Sequence, residues 1–424
     1  MSALRFGRRT VTLETAQAMI LKQAKPLETE DAELGEAYGR RLGVPVAADS
    51  PVPHFRRSGV DGYAVRATDT RGAAGGCPVR LKVIETIPAG AVPRHAVSAG
   101  EASRIMTGAV VPEGADTVIM LEMTDAPEGH RPEADVGVFK EMNPGDNITE
   151  IGRETAAGEP LLEPGSIIGP GEAAILATFG WSRVPVFRRP VVAIFSTGSE
   201  LLPVEAALEP GRIRGSNSYM LAYQVQEAGG TPRVMPILPD DAGRVEAELL
   251  SALEWADVVI TTGGVSVGDK DVLVELFDQW DGELWFNKIA MRPGSPTSAG
   301  KWRGKPLFAL SGNPGACYVG FELLVRPCLR AATGSSSPLP RASQAVLGCD
   351  YGKGSAYPRY VRGTTYVQDG VLYAVPAGLD KSSIMVSIKD ADCLIHLPAG
   401  GRGTAKGTQV RIVQIGQEKN NGIC

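Results

Sequence analysis

The spacing of apolar residues changes along the chain, and each change marks a different kind of element. Residues 12–25, TLETAQAMILKQAK, place Leu13, Ala16, Ile20 and Leu21 at helical spacing and predict an amphipathic helix. A second short helix is expected near 28–40. From about 44 to 160 the apolar residues fall into short runs cut by Gly and Pro, such as VRLKVIETIPAG, ASRIMTGAVVP and DTVIMLEM, which predicts a small β-rich domain. From about 188 strands and helices alternate: RPVVAIFSTGSEL, SNSYMLAYQVQEAGG, RVMPILPDD, RVEAELLSALEWA, DVVITTGGVSVGDKD and KPLFALSGNPGACYVGFELLVRPCLR. That alternation predicts a parallel sheet with helices on both faces. SSSPLPRAS, 335–343, reads as a linker. The runs after it, YVRGTTYVQ, GVLYAVPAG, CLIHLPAG and TQVRIVQI, predict a further β domain with turns at Asp369-Gly370 and Gly400-Gly401.

In an open parallel sheet a ligand sits outside the carboxyl ends of the strands. Here every such end is polar: Thr197-Gly198-Ser199-Glu200, Asp240-Asp241, the long turn 261–271 (TTGGVSVGDKD), and Ser311-Gly312-Asn313-Pro314. The long turn is no P-loop, because Asp269 and Lys270 follow Gly268 where Lys and Ser or Thr are needed, and it does not fit G-x-G-x-x-G. If the strands are neighbours, Gly263, Gly264, Ser266, Gly268, Ser311 and Gly312 supply amides and hydroxyls for phosphate oxygens. Glu200, Asp240, Asp269 and Asp271 then suit a cation, and Mg²⁺ commonly bridges carboxylates and phosphates. Lys288 and Arg292, in KIAMRPG, add positive charge. The alternative is that Gly263-Gly264 only turns the chain and the acids cap the following helices.

Composition narrows the choice. A net charge of −5 argues against a general nucleic-acid binder. The six cysteines (77, 317, 328, 349, 393, 424) form no C-x-x-C pair and only four histidines are present, so reduced thiols rather than zinc are expected. Cys317 opens a helix, where a thiolate is stabilised, but packing is the simpler role. Trp181, Trp255, Trp280 and Trp285 are expected to pack. No signal peptide and no 18-residue apolar run is found, so a cytoplasmic protein without a membrane span is expected. No Ser-His-Asp or Cys-His set points to covalent catalysis.

Several ordered motifs together resemble one family. SGVDGYAVRATD (58–69), RIMTGAVVPEGADTVIMLE (104–122), STGSEL, TTGGVSVGDKD, KIAMRPGSP and LSGNPGAC are similar in sequence and order to the motifs of the molybdopterin molybdenumtransferases, the MoeA family, related to a domain of gephyrin. The resemblance implies a multidomain α/β fold. Its central parallel-sheet domain of molybdopterin-binding type would span 10–28 and 188–334. An elongated linker domain would take 29–47 and 159–187, a β-rich inserted domain 48–158, and a C-terminal β-barrel-like domain 340–418. It further implies insertion of molybdate into adenylyl-molybdopterin with release of AMP, using Mg²⁺.

Carried onto this chain, the resemblance assigns catalysis to Asp61, Glu200, Asp271, Lys288 and Arg292. It assigns the metal to Glu200, Asp240 and Asp271, with Asp269 as the rival of Asp271. Thr107 and Asn313-Pro314 join the binding set, and Arg362 with Ser382 would complete an oxyanion pocket. A homodimer is implied, with Asp61 lent across it, and other proteins of molybdenum cofactor synthesis are potential partners. The chain departs from the family at Ser199, at Asn147–Glu154, at Ser295 where a lysine is expected, and at Ser311 where a proline is expected. Two other readings compete: a molybdopterin adenylyltransferase, which lacks the β-rich flanks, and a gephyrin-like dimeric scaffold, which needs no acids at a phosphate crevice.

Overall fold

The computed structural model describes residues 10–126, 135–264, 276 and 280–416. The chain forms two compact units, one of Pro45–Leu162 with Thr178–Gly180, the other of Met1–Val44, Glu163–Ala177 and Trp181–Cys424.

The smaller unit is built on a five-stranded mixed sheet in the order Thr117–Met120, Gly62–Val65, Glu101–Ile105, Val79–Ile87, Val136–Val138. Its strands alternate, as a pleated sheet requires. Tyr63 and Val65 enter one core cluster with Leu81 and Val83, whereas Ala64 enters another with Ile87, Ile105 and Val118. Both faces are therefore buried. Gly62 is fixed by the same packing, since a Cβ there would lie 1.8 Å from the Ile119 carbonyl oxygen.

The larger unit holds a six-stranded sheet made of β1 (Val191–Ser196), β2 (Thr231–Val234), β3 (Val258–Thr262), β4 (Glu283–Phe286), β5 (Ser298–Trp302) and β6 (Lys305–Leu310). The spatial order is β2-β1-β3-β6-β5-β4. The first four strands run parallel; β5 and β4 extend that sheet antiparallel. Period-two alternation splits the core. Val192, Ile194, Val258 and Ile260 face one cluster, and Ala193, Phe195, Val259, Leu307 and Ala309 face the other.

Helices cover both faces. α1 (Leu13–Gln23) starts where the Thr12 hydroxyl accepts from the Thr15 amide at 3.2 Å, and it buries Leu13, Ala16 and Ile20. α2 (Pro170–Thr178) buries Leu176. α3 (Asn217–Glu227) ends as the Gly-Gly pair predicts, with Gly229 at φ +85° and the Gly230 amide donating to the Val225 carbonyl at 2.8 Å. α4 (Ala242–Trp255) is capped by Asp241, which accepts from the Arg244 amide at 2.7 Å. α5 (Pro314–Gly320) runs through a widened π turn, Phe321–Val325, into α6 (Arg326–Ala332). There Glu322 and Arg326, 0% and 1% exposed, pair at 2.7 Å, and Gln224 donates to Glu322 at 2.7 Å.

A closed five-stranded barrel follows, in the order Ala342–Leu347, Val371–Pro376, Arg359–Gln368, Cys393–Leu397, Gln409–Gln414. Asp369 and Gly370, both at positive φ, make the expected hairpin turn. The helix expected near 28–40 is instead the strand Thr29–Glu33 and a short 3₁₀ turn, Leu34–Glu36. Residue-by-residue antiparallel pairing with Arg183–Phe187 overrides the local preference. No helix among the described residues is long and apolar enough to cross a membrane.

Candidate functional site

Strand register builds the crevice. Ser196 of β1 pairs with Thr262 of β3, and Thr262 pairs with Leu310 of β6. The next residues, Thr197, Gly263 and Ser311, therefore emerge side by side at the carboxyl edge. Gly263 adopts φ +97°, and a Cβ on it would lie 2.4 Å from the Thr197 carbonyl oxygen. Only glycine lets these turns approach so closely. Gly264, at φ +65°, continues the turn. Within the turn after β6 the Asn313 amide donates to the Ser311 hydroxyl at 3.4 Å, and Asn313-Pro314 starts α5.

Asn217, at the start of α3, ties two strand ends together. Its Nδ2 donates to Thr262 Oγ1 at 2.9 Å and to the Gly312 carbonyl at 2.8 Å. The preceding Ser216 makes no side-chain cap bond, so the helix start serves the crevice rather than its own amides. The buried Ser196, Thr197 and Thr261 hydroxyls and Asn217 Oδ1 have no hydrogen-bond partner among the described residues. Leaving such atoms unpaired costs about 1–3 kcal/mol each, a cost a polar ligand would relieve at those that reach the crevice.

Two acids sit on adjacent turns. Glu200 is exposed, its carboxylate folded over Gly198, where a Cβ would clash. Asp240 is exposed too, and it accepts from the Ser199 amide at 3.2 Å. Ser199, a departure from the family pattern, thus joins the two acidic turns through its backbone. Its neighbour Asp241 serves α4 as a cap instead. Ser266, Gly268, Asp269 and Asp271 lie outside the described residues. Among the described residues no group of three or more His, Cys, Asp and Glu side chains is assembled for a metal. Glu200 and Asp240 offer hard oxygen ligands on neighbouring turns, a donor set that fits Mg²⁺ chemically.

Lys288 and Arg292 lie after the edge strand β4, where Lys288 pairs with Thr10 and Arg292 with the barrel residue Arg359. Lys288 is half-buried with its ammonium 6.0 Å from the Tyr357 ring centroid. Arg292 is exposed, and its backbone is held by the barrel: its amide donates to the Pro358 carbonyl at 2.9 Å, and its carbonyl accepts from the Tyr360 amide at 2.8 Å. Ser295 is 6% exposed and donates to the Ile289 carbonyl at 2.7 Å. It locks the turn that carries Lys288 and Arg292, a buried position unsuited to a lysine.

Arg362, 3% exposed, reaches from the barrel to the start of α5. A Cβ on Gly315 would lie 2.0 Å from Arg362 Nη1. Its Nη2 donates to the Lys381 carbonyl at 3.3 Å and the Ser387 hydroxyl at 3.2 Å, while its Nε has no partner among the described residues. Burial pushes its pKa below the usual guanidinium range, opposed by Asp380. Ser382 contributes its carbonyl, which accepts from the Gly315 amide at 2.8 Å.

In the smaller unit, Asp61 and Thr107 are both exposed and directly joined: Asp61 Oδ1 accepts from the Thr107 amide at 2.8 Å and its hydroxyl at 3.2 Å. Two motifs 46 positions apart in sequence thus form one polar turn.

Cys317 is fully buried and its thiol is pushed up to about 12 by burial, so it packs rather than reacts. Trp285 is buried and Trp280 stacks edge-on to Trp302, whereas Trp255 is 40% exposed. Sequence reasoning missed Asn217. The signal was an asparagine, not a good helix former, at the first position of a helix that follows Gly215-Ser216.

Comparison with known proteins agrees in three consecutive segments. Residues 11–180 match the MoeA N-terminal region (domain I and II), 193–331 a probable molybdopterin binding domain, and 344–415 the MoeA C-terminal region (domain IV). The chain is 42% identical to a molybdopterin molybdenumtransferase of Bacillus subtilis (strain 168), over 98% of this chain and 96% of that one. It is 38% identical to the protein of that name from Staphylococcus aureus (strain MSSA476), over 96% of each. Its structure is similar to that of a molybdopterin biosynthesis moeA protein from Pyrococcus horikoshii OT3, with TM-score 0.81 at 29% identity, covering 96% of this chain and 100% of the other.

Proposed function

The chain belongs to the molybdopterin molybdenumtransferase (MoeA) family, transferases of molybdenum cofactor biosynthesis, and from that premise we propose that it binds adenylyl-molybdopterin, inserts molybdate at the dithiolene and releases AMP. The observation that carries this reading is the crevice itself. Thr197, Gly263 and Ser311 each follow the last paired residue of three neighbouring strands, and the buried Thr197 hydroxyl has no hydrogen-bond partner among the described residues, beside the acidic turns of Glu200 and Asp240.

Amides and hydroxyls of the strand-end turns hold the diphosphate, and Asn217 keeps two of those turns at a fixed spacing. Glu200, Asp240 and Asp271 would hold Mg²⁺, which supplies charge neutralisation at the diphosphate oxygens. Arg292, Arg362 and Lys288 hold molybdate as an oxyanion, with Arg362 fixed by its seat on Gly315 and Arg292 free to reorient. Cleavage of the diphosphate bond by water leaves the phosphate on the pterin and frees AMP. The residues act by position and charge, without a covalent intermediate. The active form is a homodimer in which the Asp61–Thr107 turn of one copy completes the crevice of the other.

The test is AMP release from adenylyl-molybdopterin with and without molybdate. Release that requires molybdate and consumes no ATP supports the reading. ATP consumption with formation of adenylyl-molybdopterin would replace it with an adenylyltransferase.

A further inference from the structure

One turn of the barrel seats Arg362. Its Nη2 donates to the Lys381 carbonyl at 3.3 Å, and the next carbonyl, that of Ser382, accepts from the Gly315 amide at 2.8 Å. Two successive carbonyls thus fix the guanidinium and the start of α5 against which it sits. A further bond from Nη2 to the Ser387 hydroxyl, at 3.2 Å, closes the seat. Residues 377–385 belong to no strand or helix, so no ladder of paired strands orients those two carbonyls.

Asp380, directly before them, is tied into the barrel. Its carboxylate accepts from the Tyr351 hydroxyl and lies 3.8 Å from Arg359 Nη1 and 4.0 Å from Lys353 Nζ. Its backbone carbonyl accepts from Lys353 Nζ at 2.6 Å. Tyr351 is a firm anchor: it is 6% exposed, packs in the barrel core with Leu347 and Val361, and exchanges two backbone hydrogen bonds with Thr404, at 2.9 and 2.8 Å. Burial, helped by the bond to Asp380, pushes the Tyr351 hydroxyl above its usual range, so it stays protonated and donates. Arg359 is the bridge partner of Arg292, so the same anchor borders the segment that carries the second basic residue.

We propose, on the reading that Arg362 holds molybdate, that Asp380 is a positioning residue for the reaction. It sets the molybdate pocket by holding the carbonyls of Lys381 and Ser382 against Arg362 and Gly315. A guanidinium carries its donors in one rigid plane, so the carbonyl that engages Nη2 also aims the remaining N–H groups. Asp380 acts on the charge of Arg362 as well, since it opposes the burial that lowers the pKa of that guanidinium. Without the carboxylate, the buried Tyr351 hydroxyl loses its acceptor and the turn loses its anchor.

The test is molybdate-dependent AMP release by the full-length protein over a range of molybdate concentrations, with Asp380→Ala, Asp380→Asn, Tyr351→Phe and Arg362→Ala beside the wild type. Asp380→Ala should raise the half-saturating molybdate concentration by about tenfold or more, the scale of a lost charged hydrogen bond. The maximal rate and the half-saturating adenylyl-molybdopterin concentration should move far less. Asp380→Asn, which keeps an acceptor for Tyr351, should lose less than Asp380→Ala, and Tyr351→Phe should shift in the same direction. Hydrogen exchange reads the tether without turnover: the Gly315 amide should exchange faster in Asp380→Ala than in wild type. Circular dichroism checks that each variant is folded. A wild-type molybdate requirement in folded Asp380→Ala, or in Tyr351→Phe where Asp380→Ala does not fold, would overturn the proposal, as would equal losses in maximal rate and in both half-saturation values. A wild-type requirement in Arg362→Ala would overturn the molybdate role of Arg362 and the proposal with it, and is told apart by that variant alone.

Discussion

Replacing Gly315 with alanine inserts one carbon at the joint between α5 and the barrel. That carbon would lie 2.0 Å from Arg362 Nη1, 2.9 Å from its Cζ and 3.0 Å from the Ser382 carbonyl oxygen. Ordinary contacts between carbons need about 3.5–4.0 Å, so the guanidinium must move by more than about 1 Å. It cannot swing into solvent, because Arg362 is 3% exposed and bonded to Lys381 and Ser387. A misplacement of that size in a positioning group costs about 10²-fold in rate. Gly315 lies in the first turn of a short helix, where alanine gains less than the ~1 kcal/mol of an interior position, so the strain should also lower the thermal midpoint while leaving the protein folded at the assay temperature. The assay is molybdate-dependent AMP release at several molybdate concentrations, with circular dichroism melting as the fold control. The expected result is a raised molybdate requirement in a folded protein. Wild-type molybdate dependence in Gly315→Ala would refute the role assigned to Arg362.

Asp271→Asn should slow AMP release by about 10²-fold or more, the scale of one electrostatic stabiliser, with partial rescue by raised Mg²⁺; a dead Asp269→Asn beside an active Asp271→Asn would transfer the role to Asp269. Arg292→Ala should weaken molybdate dependence while adenylyl-molybdopterin affinity, followed by equilibrium dialysis, stays close to wild type; equal losses would assign Arg292 to the phosphates. Asp257 pairs with Arg188 at 2.6 Å, and although burial works to raise its pKa, the Arg188 and Val191 hydrogen bonds outweigh it and hold the carboxyl below its usual 3.8. A lowered folded pKa gives stability that is present above the unfolded value and lost as pH falls through the folded one. Asp257→Asn should therefore cost about 1–3 kcal/mol in denaturant melts at pH 7, with the gap to wild type closing below 3.8; a gap independent of pH would sink this assignment.

The crevice was legible because its logic is one-dimensional. Alternating strands and helices give a sheet, a sheet gives a carboxyl edge, and polar residues at strand ends mark that edge before any coordinate is known. Asp61 and Thr107 were visible only as motifs; their hydrogen bond depends on cross-strand pairing of Gly62–Val65 with Glu101–Ile105, which local spacing does not encode. The same limit explains 29–33, whose strand exists because of a partner about 150 positions away. The role of Asn217 is not encoded locally, since its two acceptors, Thr262 and Gly312, come from other strand ends. Ser295 looked like a lost cation, yet its environment is a buried turn that a hydroxyl satisfies.

The order in which the chain is made does not match the order in which its pieces can be finished. α1 is synthesised early, but its buried face packs into a cluster with Ile289, Leu323, Tyr360 and Val413. During translation at about 5–20 residues per second, Leu13 and Ile20 wait exposed until nearly the whole chain has emerged. The sheet between residues 62 and 138, by contrast, draws every strand from one continuous stretch and can close as soon as that stretch is released. The early helix is thus an apolar segment held open on the nascent chain, a natural target for chaperone binding and for wrong pairing between polysome neighbours. Truncating the chain before the barrel should leave that segment uncovered and shift the product from soluble to aggregated.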